Sequence, residues 1–171
     1  MGNIIADSLE SKAKAFATQQ HAAINHLRKY TGDPYIVHPA RVVKLVRSVP
    51  HTEAMLCAAW LHDVVEDTPV TLETIAEEFG DEVASLVEML TDVSKLSDGG
   101  RAVRKAIDRE HTAKASPPAK SIKLADLIDN TDSIVGHDPK FAQIYLAEKA
   151  LLLEVLKEGD PTLYAMAAAN L

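Results

Sequence analysis

The segment Ala58-Ala59-Trp60-Leu61-His62-Asp63-Val64-Val65-Glu66-Asp67-Thr68-Pro69 sets ionisable groups beside apolar ones. On a helix, His62 and Glu66 are four apart, Asp63 and Asp67 are four apart, and Asp63 and Glu66 are three apart. That spacing crowds all four onto one side, while Leu61, Val64 and Val65 supply an apolar side. Thr68-Pro69 ends the helix, so the polar cluster lies at its C-terminal end. An imidazole next to a carboxylate is a mixed hard and borderline donor set. It suits a divalent transition metal. The plain alternative is a capped, solvated helix end with a stray histidine.

Two further segments add candidate ligands. Tyr35-Ile36-Val37-His38-Pro39 puts His38 just before a helix-starting proline, a well-fixed position. Ile122-Lys123-Leu124-Ala125-Asp126-Leu127-Ile128-Asp129-Asn130 puts Asp126 inside a strongly apolar helix. Lys123 and Asn130, three before and four after, share its side. A lone Asp there could simply pair with Lys123.

Taken in order, His38, His62-Asp63 and Asp126 resemble the H…HD…D signature of the HD phosphohydrolase superfamily. Arg28-Lys29-Tyr30-Thr31-Gly32-Asp33-Pro34-Tyr35-Ile36-Val37-His38-Pro39 looks like the RKxGxPYxxHP element of the alarmone hydrolases in the RelA/SpoT family. Leu61 to Thr68 looks like their LHDxxEDT, and Lys123-Leu124-Ala125-Asp126 with Asn130 looks like their KLADxxxN. The similarity runs from Ala13 to Ile134.

The resemblance implies an all-α fold, one HD-type helical domain over 1–171 with a metal site at its centre. It implies Mn²⁺ held by His38, His62, Asp63 and Asp126. It implies Glu66 and Asp67 as the pair that positions and activates the attacking water. Arg28 would lie against the base, Lys29 near the phosphates and Asn130 on the ribose side, with Lys123 also among the substrate-binding residues. The implied activity is removal of the 3′-pyrophosphate from guanosine tetra- and pentaphosphate, giving GDP or GTP. Family members often carry an Arg two residues after the Asn, where this chain has Asp132. A carboxylate there repels a polyanion. Two other readings therefore stay open: an HD hydrolase acting on NADPH or a nucleoside monophosphate, and a non-catalytic nucleotide-sensing module. The intact Glu66-Asp67 pair speaks against the second.

These residues need elements to position them. Pro117, Pro139 and Pro161 each follow a capping residue and read as first helical positions, as does Pro39. Gly80 and Gly159 sit where helices should stop. The pattern predicts helices at about 3–29, 38–48, 52–67, 71–79, 81–96, 101–114, 117–135, 138–158 and 160–169. Asp98-Gly99-Gly100 and Thr31-Gly32-Asp33-Pro34 read as mobile loops. Hydrophobic residues make up 47% and aromatics 5% of the 171 residues, a mix that favours packed helices.

Net charge is −7, which argues against a nucleic-acid-binding protein. The charge is uneven. Lys95 to Lys123 holds eight basic and three acidic residues, a local +5 that leaves −12 elsewhere. That segment is either a solvated helix or an anion-attracting rim. The single cysteine, Cys57, reads as a small core residue in a reducing compartment. The N-terminus lacks a basic start with an apolar run, and no stretch is long enough to span a bilayer. The expectation is a cytoplasmic protein acting on a small nucleotide, with no nucleic-acid or membrane partner. Oligomeric state is left open.

Overall fold

The computed structural model describes residues 8–171, and all their regular elements are helical. The predicted helix start at residue 3 and the first residues of the N-terminal reading lie outside them. Ser8 caps α1 (Leu9–Ala23) by accepting from the Ser11 amide at 3.1 Å. This helix ends six residues short of the predicted 29. Asn25 takes a positive φ of 52°, a left-handed step that asparagine tolerates, and the chain turns back. Residues 27–34 then close a hydrogen-bonded turn: the Arg28 amide donates to Asp33 O, Gly32 to Arg28 O, and Leu27 pairs with Pro34. Gly32 supplies φ +74° at its tip. The stretch read as a loose loop is thus a tied turn leading into α2 (Val37–Arg47). Pro39 is the third residue of α2, not the first. An amide there has no partner inside the helix, so the proline still costs nothing.

The predicted helix 52–67 is broken in two. Thr52 caps α3 (Glu53–Leu61), whose residues Met55 to Leu61 are all buried. His62 then ends it, Asp63 sits at φ −102°, ψ −3°, and a short α4 (Val64–Asp67) follows. On an unbroken helix adjacent side chains diverge by about 100°. The break relaxes that limit at His62 and Asp63.

Gly80, at φ +91°, separates α5 (Leu72–Phe79) from α6 (Asp81–Leu90). The predicted extension of α6 to 96 fails because Thr91 leaves the helix and Asp108 captures the chain. Its carboxylate accepts from the amides of Val93 and Ser94 and from Ser94 Oγ at 2.7–2.9 Å. Leu96–Asp98 forms one 3-10 turn before α7 (Arg101–Ala113). Ser116, Asp138 and Asp160 cap α8 (Pro117–His137), α9 (Pro139–Leu153) and α10 (Pro161–Ala169), each with proline just inside. The chain leaves α9 at Leu153, so Gly159 does not stop that helix. It marks a close approach instead: a Cβ there would lie 2.6 Å from Leu124 Cδ1 and 3.2 Å from the Lys120 backbone.

Helix α8 is the central element, packed against α2, α3, α6, α9 and α10. It buries Ile122, Leu124, Ala125, Leu127 and Ile128 together with Asp126 and Asp129. Burying carboxylates in that company is costly unless they are paired. Cys57 is fully buried and its thiol is pushed up to about 12 by burial and nearby carboxylates, consistent with a packing role. Among the described residues, no helix is long and apolar enough to cross a membrane.

Candidate metal centre

The start of α2, the α3–α4 break and the middle of α8 meet at one point. His38 comes from the first, His62 and Asp63 from the second, Asp126 from the third. One donor atom from each lies within 4.8 Å of all the others. Asp126 Oδ1 is 2.9 Å from His38 Nε2 and 3.3 Å from His62 Nε2. Asp63 Oδ2 is 3.0 Å from His62 Nε2 and 3.7 Å from His38 Nε2.

Both imidazoles are oriented from behind. His38 Nδ1 donates to Asp129 Oδ2 at 2.6 Å, and His62 Nδ1 donates to Ala59 O at 2.7 Å. Each ring therefore turns Nε2 toward the carboxylates, the arrangement in which a metal-binding histidine is held by a partner on its other nitrogen. His62 Nε2 is buried with no hydrogen-bond partner among the described residues. Lone pairs facing carboxylate oxygens repel unless positive charge lies between them. The same demand shows in the titration. Against the burial penalty, Asp126 and Asp129 raise His38 above its usual range, and Asp63 and Asp126 raise His62 well above it. Lys123 and the imidazoles in turn keep Asp126 low, and His62 keeps Asp63 low, again against burial. A divalent cation supplies that charge directly, so the donor set fits one.

Asp126 uses both oxygens, so its pairing with Lys123 leaves the other oxygen facing the histidines. Oδ2 accepts from Lys123 Nζ at 2.9 Å, while Oδ1 faces the histidines and accepts from Asn130 Nδ2 at 3.0 Å. Glu66 and Asp67 stand exposed at the mouth. Partial withdrawal of their carboxyls from water raises both. Asp92 and Asp63 add to this for Glu66, which reaches about 8, and Asp63 adds to it for Asp67, which reaches about 7. Arg28, Lys29 and Asn130 come together with Tyr30 and Phe141 around a second cleft. Arg28 is 3.7 Å from Asp129 and lies over the Tyr35 ring. Asp132 is exposed. The basic segment divides. Arg101 is committed to a two-point pair with Glu148 at 2.8 and 3.0 Å, whereas Arg104 and Lys105 line a cleft shared with Glu66 and Asp92.

Sequence reasoning gave no role to Asp129, Tyr35, Asp92 or His21. Asp129 had a signal, since it falls three residues after Asp126 on one helix face. Tyr35 donates to Asp63 Oδ2 at 2.6 Å and stacks on His26, with ring centroids 3.8 Å apart. His21 is buried beneath them, 4.7 Å from the Tyr35 ring, with Nδ1 3.1 Å from His26 Nδ1. Burial lowers His21 to about 4. The unfolded chain then takes a proton first, so stability present above pH 6.5 is lost as pH falls toward 4. The loss is about 3 kcal/mol for a shift of this size. His21→Leu is expected to flatten the fall of Tm between pH 6.5 and 4. An unchanged slope in thermal melts removes His21 as its source.

An HD domain model matches residues 13–153. The chain belongs to the HD domain family. Among its relatives is guanosine-3′,5′-bis(diphosphate) 3′-pyrophosphohydrolase MESH1 of Drosophila melanogaster. It is 37% identical over 133 residues, which cover 74% of this HD chain and 73% of that protein. A probable GTP pyrophosphokinase of Mycobacterium leprae is 41% identical over 124 residues, 72% of this chain but 15% of its own length. A probable guanosine-3′,5′-bis(diphosphate) 3′-pyrophosphohydrolase of Synechocystis is likewise covered over 17% of its length. This HD chain thus spans less than a fifth of those two relatives. A solved metazoan SpoT ortholog, described as hydrolysing ppGpp, superposes with a TM-score of 0.84. It is 28% identical, with 95% of this chain and 93% of that one covered.

Proposed function

We propose that this HD-family chain is a manganese-dependent guanosine-3′,5′-bis(diphosphate) 3′-pyrophosphohydrolase. It hydrolyses guanosine tetra- and pentaphosphate to GDP or GTP and pyrophosphate. The observation that carries the reading is the His38, His62, Asp63, Asp126 cluster, three of the four buried, in a chain that covers most of a relative bearing that name. A cytoplasmic setting and a small-nucleotide substrate go with it.

The four clustered residues would hold the ion. When bound, such an ion lowers the pKa of a coordinated water and polarises a phosphoryl group. Glu66 and Asp67 hold the attacking water at the mouth and accept its proton. Their raised pKa values lie near neutrality, where a general base is most effective. Asp129 and the Ala59 carbonyl keep the imidazoles turned inward, and Tyr35 orients Asp63. Arg28 and Asn130 receive the base and ribose, with Lys29 in the same cleft turned to the phosphates. Lys123 offsets phosphate charge next to Asp126, and Arg104 and Lys105 do so beside Glu66.

The test is a panel of guanosine tetraphosphate, NADPH and nucleoside monophosphates offered to Mn²⁺-loaded protein. Release of pyrophosphate from the tetraphosphate alone supports the reading. Turnover of NADPH or a monophosphate alone replaces the substrate and keeps the hydrolase. The rim has its own outcome. Arg104→Gln with Lys105→Gln should lower kcat/KM about tenfold at low ionic strength, and less as salt screens the attraction. An unchanged kcat/KM at low salt returns that face to a solvated helix.

A further inference from the structure

Lys149 on α9 is a charged side chain without a counterpart. It is 1% exposed, and its ammonium has no hydrogen-bond partner among the described residues. Burial lowers it to about 8, while Asp132 pulls the other way. Keeping an ammonium out of water with nothing to pair it is destabilising, so the position has a use that packing does not supply.

Lys149 lines a cleft of about 150 Å³ between α7, α8 and α9. Lys123, Asp126 and Asn130 form the wall next to the metal centre, and Lys149 and Tyr145 belong to the wall on α9. Lys105 and Arg109 approach from α7. The carboxylates that reach this cleft lie toward other partners. Asp126 is held by Lys123, Asp108 by the Val93 and Ser94 amides and Glu148 by Arg101, while Asp92 acts on Lys123 beside the metal centre. The unmatched charge is positive and lies on the wall away from the metal centre. A ligand spanning the cleft meets the metal centre at one end and Lys149 at the other. The four-carbon stem of lysine is flexible, so its ammonium can follow an arriving anion.

We infer that Lys149 is a specificity-determining residue that binds the phosphate chain the reaction leaves in place, the 5′-diphosphate of the nucleotide. The inference rests on the proposed substrate and adds the reason a nucleotide phosphorylated on both sides of its ribose is preferred. Lys149→Met keeps the length and removes the charge. Lys149→Gln keeps polarity and serves where Met disturbs packing. Calorimetric titration of the metal-loaded full chain with GDP and with guanosine separates the phosphate contribution from the base.

The expected result is that both variants lose at least about tenfold in GDP affinity and leave guanosine affinity unchanged. KM for guanosine tetraphosphate rises in step, with kcat within about threefold. Tm of Lys149→Met is expected to hold or rise. GDP affinity within twofold of wild type in both variants overturns the inference. If wild-type protein leaves guanosine tetraphosphate uncleaved while the variants still lose GDP affinity, the phosphate subsite stands and the substrate assignment alone falls.

Discussion

Asp126→Ala is expected to lose metal and turnover together, with kcat/KM down by at least about a thousandfold, roughly 4 kcal/mol of transition-state stabilisation. Asp126 faces both imidazoles through Oδ1 and ties Lys123 and Asn130 to the same point. Its removal takes away one ligand and leaves the Lys123 ammonium without its carboxylate. Asp126→Asn keeps the volume and one acceptor oxygen while removing the charge, so it separates lost metal from lost packing. Metal content per chain by elemental analysis, beside turnover, checks both. Full occupancy in Asp126→Ala and Asp63→Ala would remove these residues as ligands.

The next largest effect falls on the two carboxylates at the mouth. Glu66→Gln and Asp67→Asn should retain the metal and lose about 10²–10⁴-fold in kcat, the usual range for general-base assistance. A proton acceptor works only when ionised, so wild-type kcat should rise with pH. The raised values of about 8 and 7 mark the upper end of that rise. A bound divalent cation attracts both carboxylates and moves the rise to lower pH. Each single variant should shift or flatten that limb. A double variant with wild-type kcat and the same pH profile would show that neither group takes the proton.

The four candidate ligands were readable because each sits in a short motif whose neighbours have separate local reasons to be there. His38 is pinned at a helix start, Asp126 is the charged member of an apolar face, and His62-Asp63 closes an apolar run. The break between α3 and α4 was not readable. Nothing between Trp60 and Val65 disfavours a helix, and the chain bends where the packing of α3 against α2 and α8 meets the demand that two adjacent side chains face one point. The early end of α1 turns on a left-handed Asn25, which a helical pattern passes over. Asp108 could not be connected to the chain end of α6 from sequence, because its capture of Val93 and Ser94 spans some fifteen residues. Lys149 lay hidden for the opposite reason. Its neighbours on α9 fit an amphipathic helix, and a lysine on such a helix normally sits in water.

The central claim is that the metal centre removes an intact pyrophosphate from the 3′ side of guanosine tetraphosphate. Phosphorus-31 NMR of a reaction with Mn²⁺-loaded protein reads this directly, since it resolves the 3′ and 5′ phosphates and both inorganic products. The account predicts equimolar pyrophosphate and GDP, with the 3′ resonances lost and the 5′-diphosphate kept. Orthophosphate as the first product, loss of the 5′ resonances, or an unchanged spectrum from metal-loaded protein would contradict it.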